Sequence, residues 1–263
     1  MGAKSLIQNM AGRAGLSIRR QLDAADFMPL FAAMKPVETD LPLIRIGGDG
    51  DGGYLVPDDL DGIQACFSPG VDLVADFERE MIARGIPTFQ IDASVERSPL
   101  EHPMNRFERK FLGIDTRGQF ISLDDWVAEC APGDGDLLMQ IDIEGAEWPA
   151  LAAASRATLE RFRIIVIEMH HLDYLSDRVG ASTIAPVIDR LADIFHFVHL
   201  HANNVVMSPL RAGALQVPGL IEATLLRKDR TAARGAVRSL PHPLDRPNVA
   251  GRPDLEVPRW MYG

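Results

Sequence analysis

The chain has 263 residues, 46% hydrophobic and 24% charged, which suits one large α/β domain with appendages and excludes wholesale disorder. A formal net charge of -10, with no basic stripe interleaved with aromatics, excludes nucleic acid as a partner. Cys66 and Cys130 are too few for a disulfide framework, and the absence of both an apolar run of about 18 residues and a signal-peptide core predicts a cytoplasmic protein with no transmembrane segment.

In chain order, Leu6, Met10, Leu16, Ile18, Leu22, Phe27, Leu30, Phe31 and Met34 recur at helical spacing, so residues 1–40 are read as a helical segment. Arg13, Arg19 and Arg20 make it basic, and docking on its own domain or on a second subunit is preferred to a membrane surface. Next, Gly47, Gly48, Gly50, Gly52 and Gly53 alternate with Asp49 and Asp51 ahead of a short YLV strand. That segment turns sharply, but the two aspartates would repel a pyrophosphate and Pro57 replaces the long helix a dinucleotide loop needs. A hairpin or lid loop is expected.

From Ile63 onward strands and helices alternate. IQACFSPGV is the first strand, Asp72 to Arg84 a helix, and GIPTFQIDASV a second strand ending at Asp92. An acid at that offset can accept hydrogen bonds from both hydroxyls of a ribose, while its bland role is a helix cap. ERKFLGI is read as a third strand, FISLDDWVAEC as a helix capped by Ser122 or Asp124, and DLLMQIDIEGAE as the fourth strand. FRIIVIEMHH, FHFVHLHANN and LIEATLLRK complete seven, with helices over Glu147 to Arg161 and Thr183 to Phe195. The pattern predicts an α/β fold with a seven-stranded, mostly parallel sheet and helices on both faces, spanning residues 41–228. Residues 229–263 are read as an extended tail that Trp260 and Tyr262 can anchor, and the N-terminal helix and this tail are the candidate homo-oligomer surfaces.

The ends of successive strands point to the chemistry. LLMQIDIEGAE breaks from a buried apolar run into Asp142, Glu144 and Glu147, and acids at the carboxyl end of a parallel strand are costly unless they meet a metal, a proton or a cation. The next strands end in Glu168, His170 and His171, and in His199, His201, Asn203 and Asn204. Asp142, His170 and His201 form the candidate metal set, with nitrogen and oxygen donors suiting manganese, iron or zinc over calcium. The alternative is a metal-free site in which His170 or His171 is a general base.

DLLMQIDIEGAEWPAL followed by RIIVIEMHHLD resembles the signature of FkbM-type methyltransferases, and SLDDWV is similar to the segment that precedes it in that family. The likeness runs roughly from Ile63 to Arg227, with the acids and the glycine of IDIEGAE in place. It implies a Rossmann-like methyltransferase that uses S-adenosylmethionine to methylate a hydroxyl oxygen. By resemblance, Ser68 and Gly70 would cradle the methionine part of the cofactor, Asp92 would take its ribose, and Asp142 would lie near the sulfonium and the acceptor. FSPGV departs from the usual acidic, glycine-rich turn, which raises the possibility that Gly47 to Tyr54 folds over the cofactor and supplies backbone contacts. A hydroxyl needs activation at neutral pH, by a base or by manganese, magnesium or zinc, and vicinal sugar hydroxyls chelate such ions; a saccharide or glycan is therefore the preferred acceptor. Two other classes stay open: a dinucleotide-dependent oxidoreductase, which lacks its G-x-G-x-x-G after the first strand, and a non-catalytic glycan- or metal-binding module.

Overall fold

Runs of Ile, Leu, Val and Phe in lengths of four to eight residues bury themselves most completely as central strands, and in this chain they build one twisted sheet. The computed structural model describes residues 21–212 and 215–263, together with Met10, Arg13 and Gly15. Leu6, Leu16, Ile18, Arg19 and Arg20 of the predicted N-terminal helix lie outside the described residues. Helix α1 (Ala24–Phe27) leads through a 3-10 segment (Met28–Met34) to strands β1 (Val37–Glu38), β2 (Leu43–Ile46) and β3 (Tyr54–Pro57). There follow β4 (Ala65–Pro69), α2 (Asp76–Ala83), β5 (Thr88–Ile91), β6 (Asn105–Glu108), β7 (Phe111–Gly113) and β8 (Phe120–Ser122). Next come α3 (Leu123–Cys130), β9 (Leu137–Ile141), α4 (Glu147–Ala153), α5 (Arg156–Leu159) and β10 (Phe162–Met169). The remainder comprises α6 (Arg178–Ile194), β11 (Phe195–Ala202), β12 (Leu210–Ala212), β13 (Leu215–Val217), β14 (Ile221–Arg227) and β15 (Gly235–Ala236).

The central sheet has 7 strands in the order β11-β14-β10-β9-β4-β5-β6. β6, β5, β4, β9 and β10 are parallel neighbours, and β14 runs antiparallel to both β10 and β11. This is the predicted Rossmann-like, mostly parallel architecture. Sheet growth proceeds from β4 to β5 and β6, then resumes with β9 on the other side of β4. That reversal makes the crevice beyond β4 and β9 the natural ligand site of an open α/β sheet.

Two details differ from the sequence reading. The third sheet strand is Asn105–Glu108 rather than ERKFLGI, because Phe111–Gly113 pairs with Phe120–Ser122 in a separate ribbon. The predicted helix from Glu147 to Arg161 is two helices, since Ser155 caps a new start by accepting the Thr158 N–H.

Alternation along the strands sends side chains into two cores. On one face Phe67, Met139, Ile165, Ile167 and Leu225 pack with Phe27, Phe31, Trp126, Leu151 and Leu191 from α1, the 3-10 segment, α3, α4 and α6. On the other, Cys66, Leu138, Ile164 and Val166 pack beneath Phe77 and Met81 of α2 and Ile46, Tyr54 and Val56 of the β2–β3 hairpin. The second face is thus covered by one helix and a hairpin, not by helices alone. The chain after Arg227 stays on the body: β15 pairs with β1, Leu255 bridges to Ala202, and Trp260 packs edge-on against Phe31. Among the described residues no helix is long and apolar enough to cross a membrane.

Candidate active site

The turn after β4 is fixed by a close backbone approach. Gly70 has φ +94, and a Cβ there would sit 1.7 Å from the Asp142 carbonyl oxygen, so the position tolerates only glycine. Its N–H donates to the Ile91 carbonyl at 3.1 Å, and the Asp142 N–H donates to Pro69 at 3.3 Å. Asp92 ties the neighbouring loops: its Oδ2 accepts the Val71 N–H at 3.0 Å, and its Oδ1 accepts the Ser94 N–H at 2.7 Å and hydroxyl at 2.6 Å. Three acceptor positions are therefore filled, which leaves room for a further hydroxyl. Ser68 is fully buried behind this turn, between the Glu78 carboxyl and Gln140 Oε1 at 2.9 Å. One hydroxyl proton cannot serve both acceptors. Burial raises the Glu78 carboxyl, and the hydrogen bond it accepts from Ser68 opposes that. Ser68 thus supports the cleft from behind, while Gly70, Gln90, Gln140, Asp142, Asp51 and Tyr54 line it.

Opposite Gly70 stands the glycine-rich loop. Arg45 folds back into it, its Nε–H donating to the Gly48 carbonyl at 2.9 Å and its Nη2–H to Gly50 at 3.1 Å. The Gly47 N–H donates to Glu80 Oε1 at 3.0 Å, which ties the loop to α2. On its other flank the Asp51 N–H donates to the Asn248 carbonyl at 3.2 Å, and Asn248 Nδ2 donates to Asp51 Oδ1 at 3.1 Å and to Glu222. With its own arginine hydrogen-bonded to loop carbonyls and Asp51 lining the cleft, the loop is no phosphate cradle.

Beyond Asp142 the rim carries carboxylates around one imidazole. His170 Nδ1 lies 3.0 Å from Glu147 Oε1, and Nε2 lies 3.3 Å from Glu144 Oε2 and 3.9 Å from both Asp142 Oδ1 and Glu168 Oε2. Burial and the adjacent Asp142 carboxylate push Glu168 up to about 11, and burial also raises Asp142, so this pair holds a shared proton at neutral pH. Burial opposes the charged form of His170, yet its hydrogen bond to Glu147 and the surrounding acids outweigh that and raise its pKa. Glu144 and His171, with φ 56 and φ 55, are the non-glycine residues in the left-handed region among those described. Each such residue costs about 1–3 kcal/mol, a strain that collects at functional sites. They interlock: the His171 ring covers Gly145, where a Cβ would lie 2.2 Å from its Cδ2, and stacks on Tyr174 at 5.0 Å.

Of the sequence-predicted metal set, the structure brings Asp142 and His170 together, in a group with Glu147 whose ligand atoms all lie within 4.8 Å of one another. His201 does not join them. Its Nδ1 lies 3.0 Å from Glu222 Oε2 and its Nε2 3.2 Å from Asp254 Oδ1, so both ring nitrogens are engaged elsewhere. Sequence reasoning marked Glu147 only as an acid of the strand end, without a role, and passed over Glu222 and Asn248. A signal existed for Glu168 and Glu222, because each interrupts an otherwise apolar strand, and a buried strand retains a carboxylate only with partners.

A mostly parallel sheet with a reversal at β4 and β9, and an acid-and-imidazole rim at the carboxyl ends of its strands, defines an α/β fold of the Rossmann-like class. Residues 98–198 match the family model described as Methyltransferase FkbM domain, a span that includes Asp142, Glu144, Glu147, Glu168, His170 and His171. Over that span the chain is similar to the FkbM methyltransferase domain. Among solved structures, a TehB-like SAM-dependent methyltransferase from Corynebacterium glutamicum aligns at 12% identity with a TM-score of 0.33, covering 86% of this chain and 96% of its own. No curated protein matches the sequence.

Proposed function

We propose that the protein methylates a hydroxyl oxygen of a neutral sugar or glycan, with S-adenosylmethionine in the Gly70 cleft and the acceptor against the Asp142–His170 rim. One observation carries this reading: Asp142 belongs to both regions, lining the cleft and lying 3.9 Å from His170 Nε2, so donor and acceptor meet at a single residue. The turn at Gly70 fits the cofactor, since the missing Cβ keeps the backbone of two strand ends exposed to the cleft. Asp92 retains one acceptor position for a ribose hydroxyl, and Ser68 holds the cleft floor from behind. The cleft amounts to about 100 Å³, against roughly 300 Å³ or more for a typical small-molecule site. Cofactor entry therefore requires the 47–53 loop to shift outward, after which its backbone covers the bound molecule.

When bound, the cofactor supplies a methyl group on a positively charged sulfur, open to in-line attack. The chain's residues position the hydroxyl and take its proton. Asp142 and His170 would hold a divalent metal such as manganese, magnesium or zinc, with Glu144 and Glu168 reaching the same ring nitrogen; the metal would acidify the hydroxyl. The acids gathered around one imidazole repel an anionic acceptor, whereas a neutral polyol would chelate the ion.

Calorimetric titration with S-adenosylmethionine, with and without manganese, tests this on wild type, Asp92→Ala and Asp142→Ala. Expected are cofactor binding by wild type, loss of at least tenfold in affinity in Asp92→Ala, and loss of manganese binding in Asp142→Ala. Wild type that binds no cofactor under either condition sinks the proposal.

A further inference from the structure

Two neighbouring side chains at the start of α4 grip His170 from opposite sides. Trp148 Nε1–H donates to the His170 carbonyl at 2.8 Å and so fixes the main chain where β10 ends. Glu147 fixes the ring. It is 0% exposed, and its Oε1 accepts the Ile143 N–H at 2.9 Å while standing 3.0 Å from His170 Nδ1. An oxygen that already accepts a backbone N–H serves as an acceptor for the imidazole as well, so Nδ1 carries the hydrogen. That leaves the lone pair on Nε2, the nitrogen facing Asp142, Glu144 and Glu168.

Glu147 Oε2 is buried with no hydrogen-bond partner among the described residues. A carboxylate kept fully buried with one oxygen orphaned is costly, because the desolvated oxygen recovers no hydrogen bond. Its other oxygen, Oε1, is held against the His170 imidazole at 3.0 Å. Metal-binding histidines characteristically give their second N–H to a carboxylate, which sets the tautomer, holds the ring plane and raises ligand basicity. Donors about 2.0–2.2 Å from a common ion sit about 3–4 Å apart, which is the separation between Nε2 and the facing carboxylate oxygens.

We propose that Glu147 is a positioning residue: it fixes His170 as the Nδ1–H tautomer and presents Nε2 to a divalent cation shared with Asp142 and Glu168. Glu147 belongs to the metal-capable group, but its Oε1 is spent on the imidazole, so it acts from behind the ring rather than as a ligand. The role in methyl transfer rests on the function proposed above; the tautomer and the cation site do not.

Long-range nitrogen–proton correlation spectra of the histidine rings, recorded above the titration of His170, read the tautomer directly. Wild type should show Nδ1–H, and Glu147→Gln, whose amide oxygen can replace Oε1, should keep it. Glu147→Leu should shift the ring toward Nε2–H and raise the manganese dissociation constant by about 10–100-fold in calorimetry. A wild-type ring protonated on Nε2, a Glu147→Leu protein with unchanged tautomer and manganese affinity, or wild type that binds no manganese overturns the proposal. If Glu147→Leu does not fold, the wild-type and Glu147→Gln spectra decide. Failure of wild type to bind S-adenosylmethionine would instead remove the methyltransferase reading and leave the tautomer result standing.

Discussion

The two faces of the central sheet are built from alternate residues of the same strands, yet one is dry and the other holds the chemistry. Along β10, Ile165, Ile167 and Met169 enter the helix-covered core, while Ile164, Val166 and then Glu168 face the hairpin. Along β14, Ala223 and Leu225 go one way and Glu222 and Thr224 the other. Glu168 and Glu222 stand directly across from each other in the ladder, a like-charge pairing that Asn203 mitigates by donating to both from Nδ2. The polar residues gather where β10 ends and β14 begins, so the second face is apolar at one end and acidic at the other. Stability is concentrated on the first face, and the second spends it on partly satisfied acids near the site.

The largest effect should come from breaking the dry face. Phe67 is 0% exposed and packs edge-on against Trp126 at 4.8 Å and Phe162 at 5.9 Å. Phe67→Ala should cost about 3–5 kcal/mol in chemical denaturation, through lost burial plus a cavity, with little pH dependence of its own. An equally destabilising Glu222→Gln would erase the distinction between the faces.

A pH series sharpens the contrast. His201 rises from 6.5 to about 9: burial opposes the charged form, but the Glu222 hydrogen bond and the charges of Glu222, Asp245 and Asp254 outweigh it. Its folded pKa lies above the unfolded value, so its contribution is fully present below about pH 6.5 and is lost as pH rises through 9. That amounts to at most about 3 kcal/mol. Glu168 works in the same sense, since the folded protein retains a proton that the unfolded chain has released above about pH 4.5. Urea unfolding from pH 6 to pH 9.5 should therefore show falling stability, and His201→Gln should flatten the slope while Phe67→Ala leaves it intact. A flat profile in wild type would mean that the wet face is not held by these proton-binding groups.

These two faces were unequally legible in the sequence. Strand alternation, the acid after each of β5 and β9, and the His170–His171 pair were readable because period and strand ends are local properties. Ser122 and its helix were readable from the cap. The third strand was misplaced by several residues because NRFE and FLG are both short and equally strand-like, and only pairing with β5 or β8 separates them. His201 was grouped with Asp142 and His170 since all three stand at the ends of strands, whereas β14 inserts between β10 and β11 and brings Glu222 to it. Glu147 was visible as an acid, but its grip on an imidazole 23 positions away depends on a tertiary contact. Asn248 lies in a stretch without periodicity, and nothing local marks it for the cleft.

The smallest effect expected concerns the hairpin that roofs the wet face, and it separates two adjacent glycines. Gly52 has φ +76 with nothing within 4 Å of a Cβ built there, so Gly52→Ala meets backbone strain alone, about 1–2 kcal/mol. Gly53 has ordinary φ, but its Cβ would stand 2.1 Å from the Gly48 carbonyl oxygen and 2.5 Å from Arg45 Nη2. Gly53→Ala must therefore dislodge the arginine that holds the loop closed. If the loop covers the cofactor, Gly53→Ala should weaken S-adenosylmethionine binding more than Gly52→Ala, by several-fold, with thermal stability lowered by only a few degrees. Equal, unchanged affinities in both variants would assign the hairpin to the sheet's covering alone and leave the cleft to the turns after β4, β5 and β9.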